Sequence, residues 1–169
     1  MTNAEFEDIF REHKDAVYRF AWRMTGESSV AEDIAQDVFV TLWRGPDRYE
    51  SRRGSLRSFL LGIARNLALK RWRLESRLEE FDESEDLHFV AQPVSLEGVE
   101  VAELVAHAVR SLPQLQREVL VLAEYEDLTL EEIAAVTHGE VGTVKSRLHR
   151  ARENLRRMLA PLKSHYVRE

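Results

Sequence analysis

The sequence predicts an all-α protein made of two small helical domains joined by a flexible acidic linker. Apolar residues recur at three- and four-residue steps in two long stretches, an acidic run at residues 79–86 separates these stretches, and no segment shows the alternation of a β-strand. The predicted boundaries are 1–75 for the first domain, 76–100 for the linker and 101–165 for the second domain.

The composition is that of a globular protein without cysteine chemistry. Of the 169 residues, 44% are hydrophobic and 32% are charged, and none is cysteine, which excludes disulfides, cysteine-bound zinc and thiol catalysis. No apolar run reaches the roughly 18 residues that a membrane span needs, and the acidic N-terminus lacks the basic region of a signal peptide. We therefore expect a cytoplasmic protein with no membrane insertion.

Three helices are predicted in the first domain. The first begins at an N-cap at Asn3 and ends at Gly26. The second opens with a Ser-x-x-Glu capping box at Ser29, in which a hydroxyl and a carboxylate satisfy free backbone amides reciprocally. The third is capped by Ser55 and runs to about Arg77.

Four helices are predicted in the second half. One spans residues 96–111, and the next starts with Pro113 in its first turn. A short helix opens with a second capping box at Thr129 and ends at His138, and a long helix follows. The side of this last helix opposite its apolar residues is basic and carries Lys145, Arg147, Arg150, Arg152, Arg156 and Arg157.

A short capped helix, a tight turn and a longer basic helix form a helix-turn-helix, whose second helix enters the major groove of DNA. Ala134 and Ala135 are small enough for a close helix crossing. The alternative from this pattern alone is a helical hairpin whose basic face is merely solvated. The residues predicted to bind DNA are Thr143, Lys145, Ser146, Arg147, His149, Arg150 and Arg152.

A net charge of -6 is unusual for a DNA-binding protein, but charge alternates along the chain. Residues 44–73 hold nine bases and two acids, residues 142–169 hold eight bases and two acids, and the segments 1–43, 74–100 and 101–141 are net acidic. Two basic segments on helices favour nucleic-acid binding over solvated surfaces.

The first domain offers two further candidate surfaces. Its third helix and the preceding loop mix cations, aromatic rings and an amide, which suits a melted DNA strand; the predicted contacts there are Arg52, Arg53, Arg57, Asn66, Lys70 and Arg71. Its second helix carries an acidic face with an aromatic anchor, which suits a protein partner; that face consists of Asp33, Gln36, Asp37, Val40 and Trp43. The alternative for Trp43 is packing in the domain's own core.

Five segments resemble the sigma-70 family, in its extracytoplasmic-function group. Residues 128–135 and 141–152 resemble region 4.2, residues 112–120 resemble region 4.1, and residues 31–43 and 59–66 resemble regions 2.2 to 2.4. The turn of His138, Gly139 and Glu140 departs from the family, which often has a proline there.

The resemblance implies an RNA polymerase sigma factor that directs promoter-specific transcription initiation. It implies that the last helix reads the −35 element, that the third helix and its loop recognise and open the −10 element, and that the second helix binds the β′ clamp helices of core polymerase. The implied partners are core polymerase, through the β′ clamp helices and the β flap, promoter DNA and an anti-sigma factor. No cofactor or metal is implied.

Two other classes of protein remain open on the residues alone. A stand-alone helix-turn-helix regulator would account for the second domain and leave the first unexplained, and an adaptor would never touch DNA. An enzyme is disfavoured, because the six histidines are scattered and no metal-binding His-x-x-x-His, Gly-x-Ser-x-Gly or phosphate-loop spacing occurs.

Overall fold

The chain folds into two groups of helices that pack against each other. The computed structural model describes residues 1–75, 88–95 and 97–167, with the side chains of the last helix as far as Lys163. No strand occurs in these ranges, in agreement with the all-α prediction. The helices are α1 (Asn3–Thr25), α2 (Ser28–Arg44), α3 (Leu56–Glu75), α4 (Val101–Ser111), α5 (Gln114–Glu124), α6 (Leu130–Thr137) and α7 (Val141–Val167), with two short 3₁₀ turns, Pro46–Arg48 and Ser51–Arg53, before α3.

None of the described helices combines the length and the apolar composition that crossing a membrane takes.

The first three helices form a bundle whose core side chains are almost fully buried. Two of the predicted caps in this bundle are wrong. The N-cap of α1 is Thr2, whose hydroxyl accepts a hydrogen bond from the Glu5 N–H at 3.1 Å while the Glu5 carboxylate accepts one from the Thr2 N–H at 2.7 Å. The start of α2 is Ser28 and its N-cap Glu27 makes no side-chain cap, so Ser29 already lies inside the helix.

The link between α1 and α2 explains the missing capping box. Only Gly26 and Glu27 separate the two helices, and Gly26 takes the left-handed conformation with φ of 75°. This closes α1 and starts α2 at once. The predicted cap of α3 is confirmed, because the Ser55 hydroxyl accepts a hydrogen bond from the Ser58 N–H at 3.1 Å.

The second group consists of α4 to α7. It contains the predicted helix-turn-helix, formed by α6 and α7. The capping box of α6 is confirmed: the Thr129 hydroxyl accepts from the Glu132 N–H at 3.2 Å, and the Glu132 carboxylate accepts from the Thr129 N–H at 3.1 Å. That N–H is the main cause of a lowered pKa for Glu132. The predicted break at His138 is also confirmed, since this residue is left-handed with φ of 55°.

The helix predicted from residue 96 begins later, at Val101. Gly98 lies ahead of it with φ of 70°, in the left-handed region that a helix cannot use. Residues 97–100 therefore precede the helix, and residues 97 and 98 form a turn.

The acidic run of the predicted linker lies outside the described residues. Residues 88–95 are described, and they pack on the second group. The Val94 N–H donates to the Met158 carbonyl of α7 at 2.9 Å, and Ala91 is buried with 6% of its surface exposed. This part of the linker segment is therefore held to α7 at Met158.

A half-buried arginine joins the two groups of helices. The Arg117 guanidinium, at the start of α5, donates to the Met24 carbonyl at the end of α1 at 2.7 Å and to the carbonyls of Arg110 and Leu112 at 2.6 and 2.9 Å. Burial, with a smaller contribution from Arg110, lowers the pKa of Arg117 to about 10. Three carbonyl acceptors compensate for the desolvation of this charge.

Removing the α6 capping box should destabilise the second group. We expect Thr129→Ala to lower the free energy of unfolding by about 1 kcal/mol, because the Glu132 N–H loses its acceptor. Thr2→Ala removes the same kind of box from the chain terminus, where local fraying limits the loss, and should cost less. Urea denaturation of both variants measures this; an equal or larger effect of Thr2→Ala would contradict the expectation.

Neighbouring alanines of α6 should respond differently to enlargement. Ala134 is buried with 7% exposure, whereas Ala135 is exposed. We expect Ala134→Leu to cost about 1–3 kcal/mol through overpacking of the core cluster that contains Ala134, and Ala135→Leu to be nearly neutral. Thermal unfolding monitored by circular dichroism compares them, and equal melting temperatures would show that the crossing tolerates bulk.

Candidate nucleic-acid interface

The first turns of α7 present a polar face opposite a buried apolar one. Val144, Leu148 and Ala151 are at most 5% exposed, and Ile133 of α6 belongs to the same core. Apolar contacts of this kind set the crossing of the two helices. The outward face carries four of the predicted DNA-binding residues as exposed side chains, namely Thr143, Lys145, Ser146 and His149.

The remaining predicted residues of α7 are engaged within the chain. Arg152 donates to the Glu124 carboxylate of α5 at 2.7 Å through Nε, and its Nη2 lies 2.6 Å from the same oxygen. Arg147 and Arg150 are half-buried and both have partners in the chain. Arg152 nevertheless stays exposed, so Arg147 and Arg150 are the two members of the predicted set that the exposed face lacks.

The turn before α7 has no proline and is closed by backbone hydrogen bonds. The Gly139 N–H donates to the Ala134 carbonyl at 2.9 Å, and the Val144 N–H donates to the Glu140 carbonyl at 3.0 Å. These bonds end α6 and begin α7 directly around left-handed His138.

The predicted −10 residues divide into exposed and engaged ones. Arg52 and Arg53 stand on the second 3₁₀ turn with 90% and 81% of their side chains exposed, beside Glu50. Asn66 and Lys70 are exposed on α3. These four lie on the same loop and helix, as predicted.

The other two predicted −10 residues, Arg57 and Arg71, are half-buried and form ion pairs with other parts of the chain. The Arg57 Nη2 lies 2.5 Å from Oε2 of Glu126, a carboxylate with no exposed surface that follows α5. The Arg71 Nη2 lies 3.3 Å from Oδ2 of Asp33, so a predicted DNA contact is paired with a predicted polymerase contact.

Arg65 is a charged residue of α3 that the predicted site leaves out. Its Nε and Nη2 donate to the two oxygens of Glu118 on α5 at 2.7 and 3.1 Å. Only 12% of the Arg65 side chain and none of the Glu118 side chain is exposed. A glutamate inside the apolar pattern of residues 115–122 was the sequence signal for such a partner.

A cleft of about 360 Å³ lies between the two groups of helices. The first group contributes Tyr49, Arg53, Phe59 and Asn66, and α6 and its turn contribute Ala135, Val136 and His138. Tyr49 and Phe59 have ring centroids 5.5 Å apart, so an aromatic pair stands beside cationic and amide groups. Among the described residues, no group of three or more histidine or carboxylate side chains is arranged to hold a metal ion.

The predicted partner face of α2 is exposed. Asp33, Gln36 and Asp37 lie on the surface, and Val40 and Trp43 expose 37% and 46% of their area. Trp43 is thus not a core residue, although its ring packs edge-on against Phe6 of α1 at 5.1 Å.

Two aromatic residues of α1 extend this face beyond the predicted set. Phe6 stacks with Phe10, with the ring centroids 6.4 Å apart. Phe10 is 42% exposed, and its ring centroid lies 4.9 Å from that of Phe39. The four-residue spacing of Phe6 and Phe10 was their signal in the sequence.

Family models match both groups of helices in chain order. The model of sigma-70 region 2 matches residues 9–78, and that of sigma-70 region 4 matches residues 102–155.

Curated relatives match over most of the chain. SigW of Bacillus subtilis, an extracytoplasmic-function RNA polymerase sigma factor, is 32% identical over 93% of this chain and 90% of its own length. The sigma factor CarQ of Myxococcus xanthus is 32% identical over 96% of the chain and 94% of its length. SigE of Mycolicibacterium smegmatis is 35% identical over 92% of the chain, which spans 62% of that longer protein.

Solved structures share the fold. The sigma factor RpoE in complex with the anti-sigma factor NepR from Bartonella quintana superposes with a TM-score of 0.74 at 27% identity, covering 92% of this chain and 97% of that one. CnrH in complex with the cytosolic domain of CnrY has a TM-score of 0.69 at 24% identity over 96% and 90% of the two chains, a likeness of fold. With both sigma regions matched in order and relatives aligned over nearly their full length, the chain belongs to the extracytoplasmic-function sigma factors of the sigma-70 family.

Proposed function

We propose that this sigma factor reads the −35 element with α7 and the −10 element with α3 and its preceding loop, while α2 holds core RNA polymerase. Residues 1–75 then act as the polymerase-binding and −10 domain, residues 101–165 as the −35 domain, and residues 76–100 as their connection. We propose that the protein acts in the cytoplasm and that it catalyses no reaction itself.

The observation that carries the proposal is the exposed polar face at the start of α7. We call this face, formed by Thr143, Lys145, Ser146 and His149, the reading face. A major-groove reader needs donors and acceptors for base edges together with cations for phosphates. Lys145, Ser146 and His149 supply these groups above a buried apolar seam. The arginines further along the helix suit phosphates, since they lie away from the entering end.

For the −10 element, the support comes from the composition of the exposed loop and of α3. A base leaving the duplex gains by stacking on an aromatic ring and by hydrogen bonds to its pairing edge. Tyr49 and Phe59 offer rings, Asn66 offers an amide, and Arg52 and Arg53 offer exposed cations.

For polymerase, the support is an acidic face with a half-exposed tryptophan. Trp43 provides an anchor with both apolar area and an indole N–H, and Asp33 and Asp37 guide a basic partner. We propose the β′ clamp helices as the partner of this face and the β flap as a contact of the second domain. A stand-alone helix-turn-helix regulator would have no use for such a face.

We also propose an anti-sigma factor as a regulator. The supporting observation is that the solved sigma factor RpoE, which superposes on this chain over 97% of its own, was crystallised with the anti-sigma factor NepR.

Charge reversal on the reading face should abolish promoter use. With core polymerase and a supercoiled library of promoter fragments, we expect the chain to produce discrete run-off transcripts, and Lys145→Glu to reduce them about tenfold or more. Lys163→Glu makes the same change about five turns further along α7, beyond the residues of the reading face, and should preserve the transcripts. No chain-dependent transcript from the unmodified protein would refute the initiation function, and equal loss in both variants would refute the assignment of the face.

Removing the anchor of the α2 face should weaken polymerase binding. We expect Trp43→Ala to raise the dissociation constant for core polymerase about tenfold or more, because buried aromatic anchors dominate such interfaces. Leu74→Ala removes a more exposed apolar side chain, 70% accessible, from α3 and serves as the control. Fluorescence anisotropy with labelled protein measures both; unchanged affinity for Trp43→Ala would exclude this face as the docking surface.

A further inference from the structure

The charge alternation along the chain has a counterpart in the packing of the two groups of helices. Residues 44–73 hold nine bases and two acids, and residues 101–141 hold eight acids and two bases. These two segments meet where α3 crosses α5 and α6. The basic segment of the first group is thus neutralised in part by the second group.

Three polar contacts cross this junction. Arg65 binds Glu118 through two hydrogen bonds of 2.7 and 3.1 Å, and Arg57 binds Glu126 at 2.5 Å. The Ser58 hydroxyl donates to the Glu132 carboxylate at 3.0 Å. The partners are between 53 and 74 positions apart in sequence, so the contacts exist only while the two groups are closed on each other.

We propose that Glu118 and Glu126 occupy, in the isolated chain, the places that promoter-strand phosphates take on Arg65 and Arg57 in the initiation complex. Arg65 is thereby assigned as a further DNA-binding residue, and the second domain competes with DNA for the first. The inference rests on the proposed −10 role of α3.

The chemistry of the two anions makes the exchange possible. A guanidinium presents a planar fork of N–H donors that fits a carboxylate and a phosphate with the same two-point geometry. The contact of Arg65 with both oxygens of Glu118 has this form. A phosphate can therefore replace the carboxylate on the same arginine once the two domains separate.

The closed form also contains an unfavourable feature, an unsatisfied buried oxygen, which favours opening. Oε1 of Glu126 is buried and has no hydrogen-bond partner among the described residues, although Oε2 is paired. An unsatisfied buried acceptor is unfavourable, and opening would return it to water. Arg57, 39% exposed, stands at the rim where a strand can begin to displace the carboxylate.

The test compares opening with DNA binding in the full chain. Because the sequence has no cysteine, Asp15→Cys and Ala102→Cys introduce two unique dye sites on exposed positions of α1 and α4. Energy transfer between the dyes reports closure. Anisotropy of a labelled single-stranded DNA of mixed sequence reports binding by the same protein.

Neutralising the carboxylates should open the chain and expose the arginines. We expect Glu118→Gln with Glu126→Gln to lower energy transfer and to raise DNA affinity about tenfold, as expected when a binding-competent state rises from about a tenth of the population to nearly all of it. Glu103→Gln with Glu131→Gln removes the same charge from exposed positions of the second group and should change neither signal comparably.

Neutralising the arginines separates opening from binding. Arg57→Gln with Arg65→Gln should also lower energy transfer but bring no gain in DNA affinity, because the proposed phosphate contacts are lost. Glu126→Gln alone keeps the pair of Arg65 with Glu118. This single variant should show the same changes to a smaller extent, and it replaces the double carboxylate variant if that variant fails to fold.

Each outcome either supports the competition between the domains or overturns it. Unchanged energy transfer in the carboxylate and arginine variants, or opening without a gain in affinity over the charge-matched control, would overturn the inference. Run-off transcription by the unmodified chain is scored separately. A chain that initiates transcription but fails these tests keeps its proposed function and loses only the competition between domains.

Discussion

Two carboxylates of the second domain depend on arginines that the first domain supplies. Glu118 and Glu126 have no exposed side-chain surface, and their charged partners, Arg65 and Arg57, both come from α3. A charge buried without its partner costs several kcal/mol, about 3–5 kcal/mol where one member of a buried pair is removed. The closed packing of the two groups is possible only because α3 lies where it can satisfy both carboxylates.

This constraint gives the two proposed DNA-reading surfaces different availability. The reading face of α7 is open to solvent, since Lys145 and His149 are exposed. On α3, the cations divide between the exposed side and the junction, where Arg57 and Arg65 meet the second domain. The half-buried guanidinium of Arg117 on α5 strengthens the closed arrangement, because it donates to the Met24 carbonyl at the end of α1 and to the Arg110 carbonyl of the second group.

Local patterns predicted the helices well and the details of their ends less well. The capping box at Thr129 was correct because its hydroxyl and the Glu132 carboxylate lie within one turn, and both bonds are local. The box expected at Ser29 failed because Gly26 turns the chain earlier. For the candidate site, exposure of the α2 face followed from periodicity, whereas Phe10 of α1 joins that face through tertiary ring contacts with Phe6 and Phe39.

The sequence by itself determined the helical class, the helix-turn-helix and the family, since apolar periodicity, capping and motif order are properties of neighbouring residues. It also carried the charge alternation between segments. Tertiary structure decided which cations face solvent and which face a carboxylate. Arg65 and Glu118 lie 53 positions apart, and no local rule sets that distance; their pairing arises because a buried carboxylate has to find a cation wherever the packing of helices brings one near.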